Sequence, residues 1–167
     1  PNDAIQVGEG TYVEDVLVDR ALFVNSSGDN AQTILRGTGT TDSVRILASG
    51  TTLNGFAVSG PTGHACVRIG DAAHPGVRSI QISNDNISGC TVGVVVDSVG
   101  TTGDWVRING NIIANHVADG TPDGGTGVLI VGGAGRVEVR QDNIQNNEGA
   151  GVKLLAGAND TLYVAAN

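Results

Sequence analysis

The sequence has no methionine and only one tryptophan, two tyrosines and two phenylalanines. Aromatic residues make up 3% of the 167 positions, so the core must be built from stacked aliphatic side chains. Lysine is nearly missing as well. Eight of the nine cations are arginine, Lys153 is the one lysine, and 17 Asp+Glu bring the formal charge to −8. Sequence-independent binding of nucleic acid needs clustered cations, so no nucleic-acid partner is expected. No apolar run is long enough to cross a bilayer and no signal peptide is visible, so membrane insertion is not expected either. Helical periodicity is also wanting: no stretch of about ten residues places apolar side chains at i, i+3, i+4 and i+7. Cys66 and Cys90 are too few for a disulfide framework, and no second pair or suitably spaced histidine makes them a metal site. His64, His74 and His116 fall in loops and do not converge by spacing. Neither an EF-hand loop nor the glycine-rich calcium nonapeptide can be read. No cofactor is therefore expected, and Ca²⁺ held by stacked carboxylates is the one cation this acidic composition would suit.

Glycine, by contrast, is plentiful at 26 residues, and Val, Ile and Thr fill the apolar segments. A short phrase recurs as Asn86-Ile87, Asn111-Ile112 and Asn143-Ile144. Each copy is followed by a glycine and a small apolar run: Gly93 to Val96, Gly127 to Ile130 and Gly151 to Leu154. A looser copy reads Gly55-Phe56 and then Cys66 to Ile69. The anchors Phe56, Ile87, Ile112 and Ile144 are 31, 25 and 32 residues apart. Repeats of that length carrying strands predict a solenoid. Strands of about four residues separated by turn formers run from Ile5 to Val164. The anchors are expected to stack in one interior column, with Asn86, Asn111 and Asn143 as a structural Asn ladder at the corner. Asn tolerates the left-handed backbone that a tight bend demands. Asn115 and Asn147 form a second, shorter column that Cys90 joins one rung earlier.

Alternation assigns the faces. In one sheet Ile80/Ile82, Val106/Ile108 and Val137/Val139 point inward. The outward columns then read Ser79–Trp105–Arg136, Gln81–Arg107–Glu138 and Ser83–Asn109–Arg140. Rungs about 4.8 Å apart let Arg107 pair with Glu138 and Trp105 stack on Arg136. Trp105, Arg107, Arg136, Glu138, Arg140 and Asp142 thus form a candidate glycan-binding face. In another sheet Val67/Ile69, Val94/Val96, Val128/Ile130 and Val152/Leu154 point inward. The outward positions Val95, Leu129, Val131 and Leu155 are apolar where water is expected. Such a strip marks a covered surface, under either the Ala118–Gly125 insertion or a partner.

The phrase Ile5-Gln6-Val7-Gly8-Glu9-Gly10-Thr11-Tyr12, with Glu14 and Val16, together with the Asn-Ile…Gly-Val rungs, resembles the right-handed parallel β-helix superfamily of pectate lyases and pectin methylesterases. The likeness runs over almost the whole chain. It implies an all-β, right-handed parallel β-helix of about six coils, roughly 30 Å long at about 4.8 Å per rung. Residues 1–167 would be a single domain without the family's usual N-terminal cap helix, belonging to a longer chain or assembly. The family's catalytic constellations do not transfer. Asp85 and Asp142 share a corner column but stand two rungs, about 10 Å, apart with Gly110 between them. Asp97, Asp104 and Asp119 lie on other edges. A lyase-like set could be assembled only from Asp142, Arg140 and Arg107.

The expectation is a non-catalytic extracellular or cell-surface structural module that assembles through its open ends and apolar strip. Its partners would be copies of itself or flanking β-helix rungs. The alternative is a polysaccharide-binding or polysaccharide-processing fragment with an acidic polysaccharide as ligand. The offset between the cysteines, on the order of 10 Å along the chain, predicts two free buried thiols.

Overall fold

The computed structural model describes residues 3–97, 105–131, 135–155 and 161–165, which leaves Asp104 outside the described residues. All regular structure there is β-strand, and no helix is long and apolar enough to cross a membrane. The strands form three parallel sheets of seven, six and six strands, each strand pairing with its counterparts one repeat before and after. This is a parallel β-solenoid. A typical rung runs through Ile80–Ser83 in the first sheet, Asn86–Ser88 in the second and Val92–Val96 in the third.

The corners explain why the chain closes on itself. The bend between the first and second sheets places one residue at positive φ in successive rungs: Gly55 (85°), Asn84 (56°), Gly110 (71°) and Gln141 (56°). Glycine and asparagine take that conformation at least cost. The next bend repeats the device with Gly89 (81°), Asn115 (59°) and Asn146 (53°).

Inside, aliphatic columns run the length of the stack. In the first sheet Leu53, Ile82, Ile108 and Val139 follow one another in register, and all are buried. In the third sheet Ile46, Ile69, Val96 and Ile130 do the same. The inward and outward faces of these two sheets are as the alternation predicts.

The second sheet differs from the expected register at two rungs, by one residue at Ile112 and by two at Phe56. Ile87 pairs with Ile113 and Ile113 with Ile144, so the interior column is Val58–Ile87–Ile113–Ile144. Ile112 points outward, 39% exposed, in line with Asn86 and Asn143. Phe56 is buried one position before its strand. A single-residue slip sends a side chain to the opposite face, and the Ile112-Ile113 doublet offers either register to the hydrophobic pattern. The Asn ladder breaks for the same reason: Asn111 lies one place earlier than Asn86 and Asn143. The left-handed positions are Asn84, Asn115 and Asn146 instead.

The cysteines also depart from expectation. Cys66 and Cys90 are joined in a disulfide with a Cα–Cα distance of 5.5 Å. The chain offset overstated their separation because Cys90 sits in the corner between the second and third sheets, just after the left-handed Gly89, where distance along the chain is not distance across the bend. Cys66 stands in register with Gly93, next along the column come Gly127 and Gly151. A Cβ at Gly93 would run into the Gly127 carbonyl oxygen, and would lie 2.6 Å from His116 Nε2 and 2.8 Å from Ile113 Cγ2. Gly93 and Gly127 are therefore packing requirements of the corner, whereas a Cβ at Gly151 would meet only Ile144 Cγ2 at 3.5 Å.

Candidate functional site

The outer face of the first sheet carries the predicted columns. Trp105 pairs with Arg136, Arg107 with Glu138, and Asn109 with Arg140. Glu138 is the centre of this face, its side chain 1% exposed beneath three arginines. Arg107 Nε donates to Glu138 Oε2 at 3.1 Å, Arg136 Nη2 lies 2.6 Å from Oε1, and Arg140 Nη2 lies 3.4 Å from Oε2. Trp105 does not stack on Arg136. The Arg107 guanidinium lies over its ring, 4.1 Å from the centroid, and Arg140 lies 4.5 Å from the centroid of Tyr163. Residues i and i+2 of a strand share a face, which puts Arg107 beside Trp105, while the ion pair with Glu138 takes Arg136 away. Tyr163 enters because the strand Thr161–Ala165 adds a further rung in register with Glu138.

Asp142 does not belong to that face. It lies in the wall of the solenoid, in a buried corner column with Asp85 and Asn111; Asn111, not Gly110, is the residue between the two carboxyls. The column is knit by its own hydrogen bonds. Phe56 N donates to Asp85 Oδ1 at 2.7 Å, Asp85 N to Asn111 Oδ1 at 2.9 Å, and Asn111 Nδ2 to Asp142 Oδ1 at 2.8 Å. Burial disfavours the ionised form and pushes the Asp85 carboxyl up to about 8, against which the Phe56 amide acts in the opposite sense. The same cause raises Asp142. The lyase-like set of Asp142, Arg140 and Arg107 is therefore not assembled, since the two arginines turn outward to Glu138. His116, also buried, sits in a comparable wall column, in line with Cys90 and Asn147 where Asn115 was expected. Burial holds its imidazole below the ordinary value.

The third sheet presents a groove, a cavity of about 590 Å³. Its floor is Ala65, Val92, Val95 and Leu129, a buried apolar cluster with Val131 and Leu155 packed half-buried against it. Val95 and Leu129 are only 2% and 6% exposed within this chain alone. The rim includes Asp119, Thr121 and Asp123 from the 118–125 insertion. Lys153 ties that insertion down, donating to the Pro122 carbonyl at 2.7 Å and pairing with Asp123 at 2.8 Å. Farther along the groove, Asp42 pairs with Arg68, and Asp71 pairs with Arg45 at 3.0 Å. The His74 side chain beside Asp71 holds that carboxyl down to about 2. Hydrogen bonds from Thr121 likewise lower Asp119. The loops that build this groove give no periodic signal in the sequence.

Among the described residues, no group of three or more His, Cys, Asp or Glu side chains is placed to hold a metal ion. No family model matches the chain, and neither a curated protein nor a solved structure matches it.

Proposed function

We propose that the chain is a non-catalytic structural module of an extracellular or cell-surface protein. On this reading it is built on the pectate-lyase-like β-helix, whose opening phrase its first rung resembles. The observation that carries the proposal is where the acids sit. General acid–base work at neutral pH calls for a carboxyl with a raised pKa that a substrate can reach. The raised carboxyls here, Asp85 and Asp142, are buried in the wall. The groove acids Asp42, Asp71, Asp119 and Asp123 are each engaged by a cation or a hydroxyl, and Asp71 and Asp119 are shifted down. The Cys66–Cys90 bridge supports an oxidising compartment.

Assembly by extension of the stack is supported by the outermost rungs. Ile5, Leu154 and Val164 are 45%, 42% and 49% exposed, whereas their column neighbours Val24, Ile130 and Val139 are 8%, 0% and 0%. Flanking rungs or a second copy would cover them. The lateral strip retains Val131 and Leu155, since Val95 and Leu129 are already covered. Incubation with neutral, acidic and methyl-esterified polysaccharides should release no reducing ends, unsaturated uronates or methanol. Turnover that disappears in a folded Asp42→Asn or Asp71→Asn variant would overturn the reading.

A further inference from the structure

We propose that the outer face of the first sheet is a self-association surface, on which two copies of this chain pack about a twofold axis. This goes beyond the scaffold reading and does not depend on it, because extension of the stack uses the end rungs and this contact uses a lateral face. Three of the five aromatic residues, Phe23, Trp105 and Tyr163, lie on this one face together with three arginines. Phe23 and Tyr163 are 42% and 49% exposed. Aromatic residues and arginine supply most of the binding energy at protein interfaces, whereas lysine and carboxylates are depleted there. The outward strand positions hold no lysine, and their one carboxylate, Glu138, is buried.

The face is complementary to itself. A twofold contact lays one patch on its own copy, so that residue i meets j and j meets i. An axis parallel to the strands and passing through Ile80–Ser83, the middle strand in sequence order, lays each outward column on itself in reverse. From the register, Tyr163 of one copy then meets Ala4 of the other, Asn109 meets Asn54, Arg140 meets Asn25, and Gln81 meets itself. A large exposed ring faces a methyl group, and amides face amides, which both donate and accept. Phe23 comes over the arginine cluster, and guanidinium groups are attracted to an aromatic face. The exposed carboxylates Glu9 and Asp29, at the corner where these strands end, come to the side of Arg140. An axis along the solenoid would set arginine on arginine instead, and like charges oppose it. The arginines are also held ready: Glu138 anchors all three, and Trp105 and Tyr163 support Arg107 and Arg140. Side chains fixed before binding lose less entropy on binding. Seven strands about 4.8 Å apart and five residues wide let two copies cover about 1,000 Å² in total, the lower end for a specific interface. The contact is therefore a weak, concentration-dependent dimer.

Sedimentation velocity of the full chain over a range of concentrations should show a monomer–dimer equilibrium. Asn25→Arg puts a like charge opposite Arg140 and should weaken the dimer about tenfold or more, whereas Asn25→Glu should tighten it. Tyr163→Asp should also weaken it about tenfold or more. These variants alter outward side chains and should keep the circular dichroism of the unmodified protein. Gln81→Cys, on the axis, should form a cross-linked dimer under mild oxidation. Asn54→Cys should not cross-link to itself, being about two rungs from its own copy, but should cross-link to Asn109→Cys. A monomer at every concentration would overturn the proposal. Association left unchanged by both Asn25→Arg and Tyr163→Asp would overturn it too, placing the contact at the end rungs and leaving the scaffold reading intact. Self-cross-linking of Asn54→Cys in preference to Gln81→Cys would rule out the twofold arrangement.

Discussion

The first and third sheets are built on the same interior yet present opposite exteriors. Both stack Val and Ile inward in register, rung upon rung. On the first sheet the outward columns run from uncharged Thr52, Asn54 and Gln81 to a half-exposed arginine cluster organised by one buried glutamate. On the third they change along the axis, from Arg45 and Arg68 to Val95 and Leu129, and the apolar part forms the floor of a rimmed groove. The difference comes from the corners. The bend out of the first sheet is fixed at a single left-handed residue in four successive rungs, and only the earlier rung from Leu22–Ser26 to Thr33–Arg36 carries a longer loop there. The bend into the third sheet admits the 118–125 insertion. A solenoid thus confines its variation to the corners that can lengthen, and the face beside such a corner becomes a groove.

The largest effect should come from testing whether that groove floor is covered. Leu129→Asp places a carboxylate in a buried apolar cluster and should cost about 3 kcal/mol or more. Val131→Asp, one position outside full burial, should cost under about 1 kcal/mol. Urea denaturation of both variants measures the contrast, and equal small losses would mean that the floor is open and the two faces are alike. Next in size is the disulfide that fastens the third-sheet corner. The Cys66→Ser/Cys90→Ser protein should lose about 3 kcal/mol for a closed loop of this length. Mass spectrometry of the unreduced, alkylated wild type should find neither thiol labelled. The Trp105 emission, which reports the first sheet, should stay unchanged below the unfolding transition. A shift in that emission would show that the faces are coupled.

Much of this was legible in the residues. Strict alternation in Ile80–Ser83, Trp105–Asn109 and Arg136–Arg140 fixes the first sheet's register and puts Arg107 opposite Glu138 without further information. The second sheet has strands of only three residues, such as Asn86–Ser88 and Ile112–Ala114, too short for alternation to settle a register. The signal that resolves it is conformational: aligning Gly55, Asn84 and Gly110 as one left-handed column puts Ile113, not Ile112, inside. The disulfide stayed hidden because separation along a chain says little about distance across a bend. The same limit hid the buried Asp85–Asn111–Asp142 column, whose members are ordinary polar corner residues until the register is right. The residues of the first sheet's outer face were found by pairing columns, except Tyr163, which lies a rung beyond them, and Asp142, which lies in the wall instead.

A pH-dependent effect sharpens the comparison at the tight corner itself. Asp85 has an unfolded value near 3.8 and a folded value of about 8, because burial favours its neutral form. Between those values the folded chain binds the extra proton, so stability falls as pH rises from about 4 to about 8 and levels off above. His116 acts in the opposite direction: its depressed folded value makes stability fall as pH drops below about 6.5. Asp142 is raised as Asp85 is and adds to the alkaline loss. Asp85→Asn keeps an oxygen for the Phe56 amide and removes the titration. Its stability at pH 5 should lie within about 1 kcal/mol of the wild type. Its advantage should grow as pH is raised to 9, since only the wild type must then ionise a buried carboxyl or hold its proton. Melting curves at pH 5, 7 and 9 measure this directly. Parallel decline of both proteins across that range would mean that the Asp85 carboxyl is hydrated, and that the tight corner is no more closed than the wide one.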